Sequence, residues 1–146
     1  MLTEFKNKLY HYFYDEQHQF QGEYKQWRDT GEIYCQYYFL NDERHGEYKS
    51  WFRNGKLATH CFYNHGNFHG EYKWWYKNGQ LCKHCFYVNG NCQGEFKAWH
   101  ENGMARVHCF FVNDEYTSFD EIPYPTTPED RLYFTLKYNI PLHYYR

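Results

Sequence analysis

Gly46-Glu47-Tyr48-Lys49-Ser50-Trp51-Phe52-Arg53-Asn54-Gly55-Lys56-Leu57 is the stretch of sequence that decides the fold. Two aromatic-rich runs flank Asn54-Gly55, and Asn-Gly is the strongest short-range hairpin signal because a type I′ turn needs positive φ at both central residues. The same pattern begins at Gly22, Gly46, Gly70 and Gly94, at intervals of 24 residues without insertions. Helical periodicity is absent from this region, so the sequence predicts tandem β-hairpins.

Each unit repeats the same residue types at the same positions. Position one is glycine, position three is aromatic, position six is tryptophan and position ten is again glycine. The repeat signature is Gly22, Gly46, Gly70, Gly94, then Tyr24, Tyr48, Tyr72, Phe96, then Trp27, Trp51, Trp75, Trp99, and then Gly31, Gly55, Gly79, Gly103. A second turn, such as Asn64-His65-Gly66-Asn67, returns the chain to the next unit, so the hairpins are expected to form a continuous antiparallel meander.

The motif Gly-Glu-Tyr-Lys-x-Trp-x-x-Asn-Gly-x-Leu, followed by an aromatic residue and His-Gly, resembles the MORN repeat. The resemblance is to the 24-residue variant found in bacterial proteins described as antitoxin components and in arrays encoded by large DNA viruses. It covers about residues 9 to 117, with four units in register. It implies an all-β fold, an elongated twisted antiparallel sheet of tandem hairpins, and a role as a scaffold or interaction surface.

The domain organisation follows from where this pattern stops. We expect a repeat array over residues 1–117, made of a half-unit 1–21 and units 22–45, 46–69, 70–93 and 94–117. Ser118 stands where the next glycine is due, and the prolines at 123, 125 and 128 cannot continue a central strand. Thr127-Pro128-Glu129-Asp130 is typical of a helix start. Residues 118–146 are therefore predicted to form a Pro-containing segment and a short α-helix near 128–138 that caps the last hairpin.

The amino-acid composition limits the classes of function that this protein can have. Aromatic residues make up 25% of the chain, enough ring surface for a thin sheet to bury. The net charge of −2 argues against nucleic-acid binding and weakens binding to an acidic membrane surface. No signal peptide or transmembrane run is evident, so we expect an intracellular, cytoplasmic protein with reduced cysteines and no disulfide. Many Tyr, Phe, Asn and Lys with few Ala suit an AT-rich genome, such as that of a giant virus, which would place the protein in host cytoplasm or virion.

The hairpin register predicts which side chains meet. A two-residue turn at positions nine and ten pairs Tyr48 with Cys61 and Lys49 with His60, and a four-residue second turn places Glu71 beside His60. One face is then expected to carry rows of opposite charges, which stabilise neighbouring strands. These rows are Lys49, His60, Glu71 and Lys73, His84, Glu95. The other face carries Tyr, Leu and Cys.

The tryptophan row leaves two arrangements open. Tyr24 and Trp27 are three positions apart and fall on opposite faces of a regular strand, so either both faces are partly aromatic or a β-bulge brings the rings together. In the first case the row could bind a partner peptide, or the rings could simply pack the sheet and stack on lysine stems. The candidate binding residues are Trp27, Trp51, Trp75, Trp99, Lys49, Lys73, His60 and His84.

The sequence gives little support for a metal site or an active site. The pair His60-Cys61 recurs in each later unit, but adjacent residues on a strand point to opposite faces and cannot share an ion. The same geometry separates the two thiols of Cys82-x-x-Cys85. Equivalent cysteines lie two strands apart, about 9.5 Å, which is too far for a disulfide. No catalytic motif stands out, so we predict no catalytic or metal site, no cofactor and no enzymatic activity.

The predicted function is therefore a non-enzymatic scaffold for protein–protein interaction. The partner is unidentified and could include a second copy of the chain, held through an end strand or the C-terminal helix. One alternative is peripheral binding of acidic phospholipid, which the resemblance and the lysine row suggest. Another is an antitoxin-like partner that neutralises a toxin.

Overall fold

The computed structural model describes residues 1–117, and these form one open antiparallel sheet of 14 strands. The half-unit contributes β1 (Thr3–Lys6) and β2 (Tyr10–Tyr14). The four units contribute β3 (Gly22–Trp27), β4 (Ile33–Leu40), β5 (Glu43–Arg44), β6 (Gly46–Trp51), β7 (Leu57–Asn64), β8 (Asn67–Phe68), β9 (Gly70–Trp75), β10 (Leu81–Val88), β11 (Asn91–Cys92), β12 (Gly94–Trp99), β13 (Ala105–Val112) and β14 (Glu115–Thr117). The predicted all-β fold of tandem hairpins is confirmed, whereas the helix predicted near 128–138 lies outside the described residues.

The strands follow one another across the sheet without a crossover. Their order is β1-β2-β3-β4-β6-β7-β9-β10-β12-β13-β14, and the short strands β5, β8 and β11 pair with the ends of β4, β7 and β10. Each unit therefore contacts chiefly the units before and after it, as expected of a repeat array.

The first turn of each unit differs from the predicted type I′ turn. Gly55 has φ 78° but Asn54 does not have positive φ, and the Gly55 N–H bonds to the Phe52 carbonyl at 3.0 Å. This is a three-residue hairpin loop that ends in a left-handed glycine. The Asn54 side chain makes two hydrogen bonds. Its oxygen accepts the Lys56 N–H at 3.1 Å, and its amide donates to the Lys77 carbonyl of the next unit at 2.8 Å. The type I′ prediction was thus wrong at Asn54-Gly55, and also at Asn78-Gly79 and Asn102-Gly103.

The second turn of each unit is where the type I′ geometry occurs. Both central residues have positive φ at Asn41-Asp42, His65-Gly66, Asn89-Gly90 and Asn113-Asp114. These turns also bond to the preceding unit, because the Gly66 N–H donates to the Arg44 carbonyl at 2.9 Å and the Gly90 N–H to the Phe68 carbonyl at 2.8 Å.

The predicted pairing inside each hairpin is confirmed, although the turn that joins its strands is not the predicted one. Tyr48 faces Cys61 and Lys49 faces His60. The third loop residue should have shifted this register by one, yet a bulge at Ala58, between the pairs Ser50–Thr59 and Trp51–Leu57, restores it. The equivalent bulges lie at Tyr34, Cys82 and Arg106.

The pairing between hairpins differs from the prediction. His60 faces Lys73, not Glu71. Near the second turn Asn64 still faces Asn67, but two more residues enter the returning strand around His69, whose N–H bonds to the Phe62 carbonyl at 2.9 Å. This irregularity moves Glu71 two positions away from His60.

One side of the sheet, here called the tyrosine face, packs rings against small thiols. Tyr24 stacks on Tyr37 with ring centroids 4.7 Å apart, and Tyr37 stacks on Tyr48 at 5.5 Å. Cys61 and Cys85 between the rings are 1% and 0% exposed. Burial raises the pKa of the Cys61 thiol to about 12, so it is neutral and suited to a packing role.

Replacement of Gly55 by alanine should lower the free energy of unfolding by about 1 kcal/mol, because a Cβ at positive φ is strained even where nothing crowds it. Gly55→Asn should lose less, since asparagine tolerates this conformation. Urea unfolding of the two variants measures the difference. Equal stabilities of wild type and G55A would show that the left-handed glycine is not required.

Candidate functional site

The opposite side of the sheet, here called the charged face, carries a repeated Glu-Lys-His triad. A Glu47 carboxylate oxygen lies 2.8 Å from Lys49 Nζ, on the same strand, and 2.8 Å from His60 Nε2, on the facing strand. The same triad recurs as Glu71, Lys73, His84 and as Glu95, Lys97, His108, with distances of 2.7–2.9 Å. In the first unit Gln36 takes the histidine position and donates to Glu23 at 2.7 Å.

These side chains form an uninterrupted row across the sheet. Each member faces the next on the neighbouring strand, through ten strands. The row is Lys6, His11, Lys25, Gln36, Lys49, His60, Lys73, His84, Lys97 and His108. The sequence predicted the pairs within hairpins but not the row, because the two extra residues at each unit boundary were not recognised. The signal was the glycine at position one, which has positive φ at Gly46, Gly70 and Gly94.

The triads correct the predicted ion pairs. His60 bonds to Glu47 of its own hairpin rather than to Glu71, and His84 bonds to Glu71 rather than to Glu95. The carboxylate of each triad therefore lies between a lysine and a histidine of one unit.

Burial and hydrogen bonds shift the pKa values of the triad carboxylates and of His84. The Lys49 hydrogen bond, opposed in part by burial and helped by His60, lowers the pKa of Glu47. Burial is the largest cause that lowers the pKa of His84, and Glu71 opposes it. The Glu71 carboxylate and the Lys73 ammonium thus compensate each other, while His84 stays neutral at pH 7.

The tryptophan row lies on the charged face. The bulge sits in the facing strand, so β6 stays regular and alternation places Trp51 on the side of Lys49 and Glu47. Both faces are therefore aromatic, the first of the two arrangements left open by the sequence. The four tryptophans Trp27, Trp51, Trp75 and Trp99 are half-buried.

A shallow depression of about 210 Å³ shows what surrounds one of these rings. It is lined by Lys97, Trp99, Ala105, Val107 and His108. The indole thus lies beside two members of a triad, where a partner could contact ring and charge together.

Sequence reasoning overlooked one exposed ring. Trp74 is 40% exposed and lies on the tyrosine face, opposite Thr59 and Lys83. The signal was the doublet Trp74-Trp75, where other units place Gln26, Ser50 or Ala98 before the repeat tryptophan.

Histidine and cysteine lie apart in the sheet. His60 faces Lys49 on the charged face, whereas Cys61 faces Tyr48 on the tyrosine face. Over residues 1–117, no three His, Cys, Asp or Glu side chains are grouped so that they could hold a metal ion. All six cysteines are free thiols.

The lowered pKa of His84 predicts a pH dependence. The folded state binds this proton less tightly than the unfolded state, so its contribution to stability falls as pH drops below about 6.5, toward the lowered folded pKa. Between pH 7.5 and 5.5, wild type should lose more stability than His84→Gln, by a few tenths of a kcal/mol. His65→Gln, at an exposed turn position, controls for the loss of one titratable side chain. Identical pH profiles of wild type and H84Q would contradict the prediction.

The described residues include no helix that is long and apolar enough to cross a membrane. No curated protein sequence matches the chain. Among solved structures, it is similar to the crystal structure of TarM, with 14% identity and a TM-score of 0.34 over 62% of this chain and 20% of that one. A variant of S. aureus TarM in complex with fondaparinux, alpha-GlcNAc-glycerol and UDP gives 14% identity and a TM-score of 0.35 over 63% and 21%. The chain thus spans about a fifth of the length of these proteins, and likenesses with such TM-scores carry no argument about function.

A family model described as a MORN repeat variant matches residues 44–65 and 68–89. The two matches begin 24 residues apart, which is the period of the hairpin units and of the Glu-Lys-His triads. MORN repeats are generally involved in binding proteins or membrane lipids. Residues 44–65 and 68–89 thus match the MORN-repeat family that the sequence resembles.

Proposed function

We propose that the protein is a non-enzymatic scaffold that binds a protein partner through the charged face. The observation that supports this proposal is the row of Lys and His side chains, interrupted only by Gln36, with its carboxylates and tryptophans. The same group set recurs on every second strand, about 9.6 Å apart. A partner that lies across the strands would meet several equivalent sites, and such multivalency raises affinity without any single strong contact.

The chemistry of the face favours a protein over a membrane. Each triad holds one carboxylate and one ammonium in contact, so the lysine row presents little net positive charge to an anionic bilayer. A protein partner can use both signs of charge, and half-buried tryptophans beside lysine stems are typical of interface anchors. A toxin neutralised by this chain would be one such partner.

Repetition also argues against catalysis. An active site is normally one asymmetric group of residues on the scaffold, whereas here the same three side chains recur in three successive units. The triads resemble one another in their distances, which suits a surface that a partner contacts at several equivalent places.

The double variant Trp51→Ala/Trp75→Ala should weaken partner binding at least tenfold, because it removes two adjacent anchors from the charged face. A pull-down with crosslinking identifies the partner, and titration of the purified partner measures the change. Trp74→Ala is the matched control, since it removes a neighbouring and more exposed indole from the opposite face. Circular dichroism shows whether each variant is folded.

Two results would contradict the proposal. One is a folded double variant that binds the partner as wild type does. The other is sedimentation of the protein with vesicles that contain anionic lipid, but not with neutral vesicles, together with no captured protein partner. The second result would favour the alternative of peripheral phospholipid binding.

A further inference from the structure

The first strand of the sheet leaves one edge open. β1 pairs with β2, and within residues 1–117 no strand pairs with its other side. All four residues of β1 are exposed, among them Phe5 at 38%. An open strand edge is a template for pairing with another chain.

The hydrogen bonds of the first hairpin show which backbone groups point outward. The Asn7 N–H donates to the Tyr10 carbonyl at 2.9 Å, and Phe5 faces Tyr12. Bonded pairs alternate along an antiparallel ladder, so Phe5 also bonds inward to β2. The N–H and C=O groups of Glu4 and Lys6 therefore point away from β2, toward the open edge.

This alternation restricts how β1 can pair with β1 of a second copy. Two antiparallel strands bond only where outward-pointing residues face each other, so Glu4 must face Glu4, Lys6 or Leu2 of the other strand. The first choice opposes two carboxylates, and the third opposes Glu4 to Leu2 and leaves Lys6 without a facing residue on β1 of the other copy. Only the register with Glu4 opposite Lys6 forms opposite-charge pairs, and it places one on each side of a two-fold axis.

The same register brings apolar surfaces together. Phe5 lies at the two-fold axis and faces Phe5 of the second copy as a non-hydrogen-bonded pair, the type in which side chains approach closest. Phe5 already stacks on Tyr12 with ring centroids 4.7 Å apart, and Tyr12 stacks on Tyr24 at 5.9 Å. The ring stacking of the tyrosine face would thus continue from one copy into the other.

We propose that β1 is a self-association edge, at which two copies pair as antiparallel strands with Glu4 of each opposite Lys6 of the other. Glu4 and Lys6 lie on the charged face, where Glu4 also bonds to His11 at 2.8 Å. Pairing at β1 joins the charged faces of two copies into one surface. It does not depend on the partner binding proposed above, since it uses the strand edge and not the face.

The interface is small, so we expect a weak dimer. It joins two strands of four residues each, well below the area of standard stable interfaces. A dissociation constant in the micromolar range or weaker follows. The contact closes at two copies, because a two-fold axis relates identical edges.

A charge exchange tests the register. Glu4→Lys opposes two lysines and Lys6→Glu opposes two glutamates, so each variant alone should dimerise at least tenfold more weakly than wild type. An equimolar mixture of E4K and K6E should regain the dimer, because unlike charges again face each other, and the double variant E4K/K6E should dimerise as wild type does. Sedimentation velocity over a range of concentrations measures each case. Association in the mixture also shows that both single variants are folded.

The matched control pair is Glu101→Lys and Lys77→Glu, which makes the same charge changes at exposed turn residues. These variants should dimerise as wild type does, and mixing them should add nothing. Three results would overturn the proposal: a monomeric wild type up to millimolar concentration, undiminished dimers of both E4K and K6E, or assemblies larger than two. An E4K and K6E mixture that stays monomeric beside a dimeric wild type would also overturn it.

Discussion

Strand register is the constraint on which the rest of this structure depends. Side chains alternate between faces with a period of two, so a slip by one residue would exchange the charged face for the tyrosine face. Each first turn carries a third residue that would cause such a slip, and a bulge at Ala58 and its equivalents compensates for it. The bulge therefore keeps Lys49 opposite His60 and the ring of Tyr48 beside the thiol of Cys61.

The two faces of this single-layer sheet carry different kinds of side chain. The tyrosine face buries stacked rings separated by small thiols such as Cys61 and Cys85. The charged face also buries apolar side chains, since Phe86 and Phe110 face Glu71 and Glu95 and are 9% and 2% exposed. The charged face satisfies its polar groups internally, because every triad carboxylate bonds to a lysine and a histidine. The sheet can therefore present a long polar row on one side and still bury apolar side chains on both sides.

The sequence predicted the fold and the within-hairpin pairs because the 24-residue period and the positions of glycine are visible in it. The pairing of Lys49 with His60 followed correctly from a turn that was wrong, since the extra loop residue and the bulge cancel. The position of Glu71 could not be predicted in this way. It depends on two residues that enter the returning strand near His69. Gly70, which follows His69 with φ 93°, marks this place, but a glycine alone does not tell how many residues are inserted. The side occupied by Trp51 stayed open for a related reason: a bulge was one of two alternatives, and the sequence does not show that it lies in the facing strand, at Ala58.

The bonds made by the second turns determine how the array can change in length. The N–H of Gly66 reaches the carbonyl of Arg44, and that of Gly90 reaches Phe68, so each such link spans 22 residues and joins only adjacent units. Duplication of a 24-residue gene segment would recreate the same link on both sides of the new unit. Deletion of one unit would let its neighbours meet with the contacts that they already use. The number of hairpins is thus free to vary in evolution by whole units, whereas a one-residue change inside a strand would move the side chains beyond it to the opposite face.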